Sequence, residues 1–151
     1  MIKSKRFEPI HEIASTSAKD LSRIMADAGR KVSELERQLE QLQNYRDEYV
    51  RNSAQGNGAM DAVKLQNYRS FLNRLGEALN QHHKSLDNAR KEFEKRRTQW
   101  SEKRVEAESL HRVVERLRKE EQHAADRREQ REGDDAAMRL MLAARIDLGN
   151  A

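Results

Sequence analysis

Histidine is the side chain best suited to metal binding or proton transfer near neutral pH, and this chain has five among its 151 residues. Two of them, His82 and His83, are adjacent. Neighbouring residues on a helix point about 100° apart, so these two imidazoles cannot close on one ion. His82 reads instead as a helix-seam residue opposite Val32. Cysteine is absent, which excludes disulfides and thiolate zinc sites. No glycine-rich phosphate loop occurs, and no His, Ser and Asp grouping surrounds a pocket. No catalytic residue, metal ligand or cofactor is therefore expected, and the chain reads as non-enzymatic. What remains is the chemistry of surfaces. A basic row, Arg69, His83, Arg90, Arg97 and Arg104, is either a solvated face or a contact for an acidic partner or nucleic acid. The acids Glu92, Glu94 and Glu102 interleave with it, and a net charge of +4 from 30 bases and 26 acids is a weak argument for nucleic acid.

The elements that carry these surfaces follow from composition. Charged residues make up 37% of the chain and aromatics 5%, with a single proline and six glycines. Such a chain cannot bury a wide core, yet its dominant residues are strong helix formers. Pro9 suits the first turn of a helix. The segment NSAQGNGA, residues 52–59, reads as a turn. The expected architecture is all-α: a long two-helix antiparallel coiled-coil hairpin over residues 1–132. Its helices span about 8–51 and about 60–132, with the turn at 52–59. Gly133 then opens a C-terminal tail, 133–151, read as a short helix or as disorder.

Heptads support this plan. On the second helix the a positions are Leu65, Leu72, Leu79, Leu86, Phe93, Trp100, Ala107 and Val114; the d positions include Tyr68, Leu75, His82, Ala89, Leu110 and Leu117. On the first helix d holds Ala14, Leu21, Ala28, Leu35, Leu42 and Tyr49, and a holds Ala18, Met25, Val32, Leu39 and Arg46. Apolar heptads sustained this long mean coiled coil. Centring the turn on Asn57 predicts a register: Tyr49 opposite Leu65, Leu39 opposite Leu75, Leu35 opposite Leu79, Leu21 against Phe93 and Ala14 against Trp100. The g positions, normally polar, carry Tyr45 and Phe71, with Gln38 and Ala78 beside them. Because g faces g in an antiparallel pair, Tyr45 should lie near Phe71. These residues either broaden the seam or form an exposed apolar strip for a partner.

The stretches QLEQLQNYRDEYV, NSAQGNG and LQNYRSFLNRLGEALNQH resemble the FliJ family of the bacterial flagellar type III export apparatus. The resemblance covers roughly residues 7 to 132. It implies a hairpin similar to the coiled-coil stalk of a rotary ATPase. It also implies a non-enzymatic export component that binds the export ATPase FliI and the export gate protein FlhA, and that escorts substrate chaperones. The family's gate-binding surface falls on Gln38, Leu42, Tyr45 and Tyr49 of the first helix and on Phe71, Leu75, Ala78 and His82 of the second. The alternatives are a structural or oligomerising coiled coil and, behind it, a nucleic-acid-binding one.

With this register Pro9 lies opposite Val105, leaving roughly 27 residues of the second helix, about 40 Å, unpaired. Ala107, Leu110, Val114 and Leu117 would then be bare, and full burial of a Val or Leu is worth roughly 1.5–3 kcal/mol. The resemblance to the rotary stalk implies that this overhang enters the ATPase ring, which makes Leu110, Val114 and Leu117 the candidate ATPase contact. No apolar run approaches the roughly 20 residues needed to cross a bilayer, and Met1 to Phe7 lack the apolar stretch of a secretory signal. The expected location is cytoplasmic, with peripheral association at the inner membrane through the export apparatus.

Overall fold

A computed structural model of the chain describes residues 2–55 and 61–149. It contains two helices, α1 (Lys3–Gln55) and α2 (Ala62–Gly149), packed against each other, with no strand among the described residues. Gly56, Asn57 and Gly58, on which the expected turn centres, lie outside those residues. Immediately after them, Asp61 caps α2: its Oδ1 accepts a hydrogen bond from the Lys64 amide at 2.7 Å. That contact satisfies one of the donors that every helix start leaves unpaired.

Both helices outrun the ends that breaker residues suggest. Pro9 lies inside α1, not at its first turn. A proline there forfeits the hydrogen bond to the carbonyl four residues back and costs about 3 kcal/mol. The first turns stay helical because they pack on α2, as the Ser4 and Glu8 contacts below show. Gly133 likewise leaves α2 unbroken. A lone helical glycine costs only about 1 kcal/mol, and strong helix formers precede it directly and resume at Ala136 after Asp134 and Asp135.

The helices form two compact units. In the unit of residues 17–103, Leu39, Leu79 and Leu86 are buried together, with Val32, Leu35 and Leu42 packed on them. Phe93 lies against Gly29, where an added Cβ would stand 3.3 Å from the ring edge. This corrects the expected pairing of Phe93 with Leu21 by eight residues on α1, about one heptad. A shift of one heptad leaves every a and d residue in the seam, so the heptads alone cannot distinguish the two registers. The fit of the Phe93 ring over the one position without a Cβ does.

The same displacement is found in the unit of residues 1–16 and 104–151. Here His11 sits beside His111, with ring centroids 5.3 Å apart. Arg118 is paired with Glu8. Ser4, only 3% exposed, donates to Glu121 through its amide at 3.1 Å and its hydroxyl at 2.7 Å. Pairing therefore reaches Glu121, not Val105, and the stripe expected to be bare is covered. Val114 is 3% exposed and Ala107 is buried, while Leu110 and Leu117 are half-buried. From Gln122 to Gly149 every residue is exposed.

Candidate partner-binding surface

Four aromatic rings gather at the end of the 17–103 unit that lies nearest the chain's midpoint. Tyr49 stacks on Tyr68 at 5.6 Å with an interplanar angle of 16°. It also meets Phe71 at 4.4 Å. Tyr45 sets its edge to Phe71 at 6.2 Å and 69°, the facing of g against g that the heptads predict. Offset and edge-on ring pairs of this kind are worth about 0.5–1.5 kcal/mol beyond area burial. The cluster follows from helical spacing: Tyr45 and Tyr49 are one turn apart on α1, as are Tyr68 and Phe71 on α2.

Its members are unequally available. Tyr45 is 54% exposed, whereas Tyr49, Tyr68 and Phe71 are half-buried. Leu75 is buried at 7% and belongs to the seam. Leu42 is half-buried against the Leu39, Leu79 and Leu86 cluster. Gln38, Ala78 and His82 are half-buried, and Gln38 Nε2 donates to Glu34 at 3.5 Å. Of the eight residues carried over from the family, the structure thus brings Tyr45, Tyr49 and Phe71 into one cluster and assigns Leu42 and Leu75 to packing. Sequence reasoning left out Tyr68, whose signal was its place one turn before Phe71.

The basic row is interleaved with acids in space as well as in sequence. Arg90 bridges to Glu36 across the helices at 3.2 Å, and Arg97 pairs with Glu94 at 3.6 Å. Farther along the chain, burial raises the Glu121 carboxyl's pKa, but the hydrogen bonds from Ser4 and the Lys3 backbone outweigh it and hold the group below the ordinary carboxylate range. The hydrogen bond and charge of Glu8 push the Arg118 guanidinium up. No group of three or more His, Cys, Asp or Glu among the described residues is arranged to hold a metal ion. No described helix is long and apolar enough to cross a membrane.

Two long helices packed against each other, with an aromatic cluster of which Tyr45 is exposed, define an all-α helical hairpin. Comparison with known proteins gives that class its place. The sequence model of the flagellar FliJ protein family matches residues 3–145, and the chain belongs to that family. It is 24% identical over 134 residues to the flagellar FliJ protein of Escherichia coli K12, covering 88% of this chain and 91% of the relative. It is 25% identical over 137 residues to that of Salmonella typhi, covering 89% and 92%. No solved structure matches. Membership assigns the chain to flagellar protein export and flagellum biogenesis.

Proposed function

We propose that this protein is a non-enzymatic adaptor that binds the export gate protein through the aromatic flank, binds the export ATPase through the 1–16 and 104–151 unit, and escorts substrate chaperones. The observation that carries the reading is Tyr45. A large aromatic more than half exposed and edged against Phe71 leaves apolar area open to a partner without being needed to close the seam. Aromatic side chains in such positions are the usual anchors of protein interfaces. Gln38, Ala78, Tyr49 and His82 frame it, and Leu75 contributes from beneath by holding the flank in place.

For the ATPase the argument from a bare stripe no longer stands, because α1 covers Val114. The candidate contact narrows to the half-buried edges, Leu110 and Leu117. Pull-downs of the gate protein and the ATPase with Tyr45→Ala, and separately with Leu117→Glu, test both assignments. The reading requires Tyr45→Ala to lose the gate protein and keep the ATPase, and Leu117→Glu to do the reverse. Gate binding that survives Tyr45→Ala at wild-type strength refutes the first assignment.

A second reading, an oligomerising coiled coil, draws on the end of α2. Met138, Leu140, Met141, Leu142, Ile146 and Leu148 are 53–79% exposed, with Arg139 and Asp147 on the remaining arc of the helix. An exposed apolar stretch of this kind marks a site of protein contact. Sedimentation of the wild type and of a Met141→Glu, Leu148→Glu double variant separates the readings. Self-association abolished by the double variant supports oligomerisation, and a monomer in both cases opposes it.

A further inference from the structure

His11 on α1 and His111 on α2 approach each other across the seam of the 1–16 and 104–151 unit. Their ring centroids are 5.3 Å apart and the rings are tilted by 42°. Zinc binds an imidazole nitrogen at about 2.0–2.1 Å, which places each ring centroid about 3.2 Å from the ion; a tetrahedral angle then separates two such centroids by about 5 Å. The observed spacing of 5.3 Å matches that of two imidazoles sharing an ion and also falls in the range of ordinary ring packing. Parallel stacked imidazoles would point their lone pairs side by side, whereas tilted rings can aim them at one point. We propose that His11 and His111 form a cross-helix two-histidine site for a divalent transition-metal ion of the zinc, nickel or copper kind, which imidazole ligands suit.

The surroundings favour it. His11 is half-buried and His111 exposed, so the ion has access from water. The buried neighbours one turn away, Ala14 and Ala107, are small enough to let the helices approach. Glu8 lies one turn before His11, and Glu108 and Glu115 lie one turn to either side of His111. These carboxylates are engaged by arginines: Glu8 and Glu115 by Arg118, and Glu108 by Arg112 at 2.9 Å. The imidazoles are thus the ligands and water completes the shell. The bound ion would tie the start of α1, weakened by Pro9, to α2.

The test titrates zinc chloride into the untagged full chain while nitrogen–proton spectra follow the imidazole side chains. The His11 and His111 signals should shift together and saturate together, with His82, His83 and His123 unmoved. In parallel, zinc at about ten times its dissociation constant should raise the thermal midpoint by about 3–5 °C, and His11→Gln or His111→Gln should each remove that rise. The proposal is overturned if neither ring responds to zinc, if the two rings titrate independently, or if the rise persists in either variant. The spectra are read on the wild type, so the outcome does not depend on how well a variant folds.

Discussion

Replacing Gly29 with leucine probes the register directly. In open space the substitution would help: glycine costs about 0.8–1 kcal/mol in a helix relative to alanine or leucine. At Gly29 even a Cβ would stand 3.3 Å from the Phe93 ring, and leucine adds three more carbons toward it. Overpacking of this kind costs about 1–3 kcal/mol. Set against the propensity gain, the net change runs from near zero to about 2 kcal/mol of lost stability. Gly76 supplies the control, since nothing lies within 4 Å of a Cβ built there; Gly76→Ala should gain about 1 kcal/mol. Urea unfolding followed by far-ultraviolet circular dichroism measures both. In a Phe93→Ala background Gly29→Leu should become stabilising, because the obstacle is gone. If Gly29→Leu stabilises the wild type as much as Gly76→Ala does, Phe93 does not lie over Gly29 and the helices pair in a different register.

Other outcomes test other parts of the molecule. Pro9→Ala should stabilise α1 by up to about 3 kcal/mol by restoring an interior helical hydrogen bond; a neutral or harmful effect in thermal melts would return Pro9 to a helix start. Phe71→Ala should destabilise more than Tyr45→Ala, since Phe71 meets two rings and the exposed Tyr45 meets one; each ring pair is worth about 0.5–1.5 kcal/mol, and the reverse order in urea melts would show Tyr45 to be a packing residue. Because the folded Glu121 carboxyl sits below its ordinary value, its tie to Ser4 is fully present above the unfolded carboxylate range and is lost as pH falls through the lower folded value. The Ser4 amide shift should therefore titrate with a midpoint below that of an ordinary glutamate, and a midpoint at or above the ordinary value would contradict the pairing.

Much of this protein was legible from residue order alone. Helical propensity and the spacing of Leu35, Leu39, Leu42, Leu79 and Leu86 are local properties, so they determined the all-α class and the faces that meet. The g-position aromatics Tyr45 and Phe71 were legible for the same reason, as was the family resemblance written around them. Register was not. A coiled-coil seam repeats every seven residues, so sliding one helix by a heptad costs nothing that a pattern can count. Only the shape of particular contacts across the seam, Phe93 over Gly29 and Ser4 on Glu121, selects one alignment. That choice in turn decided which residues are covered. It buried Val114, extended α1 through Pro9, brought His11 to His111 and left the apolar end of α2 exposed. The covered stripe, the extension of α1 and the histidine contact depend on residues about 100 or more positions apart becoming neighbours in space, which periodicity cannot specify and side-chain packing can.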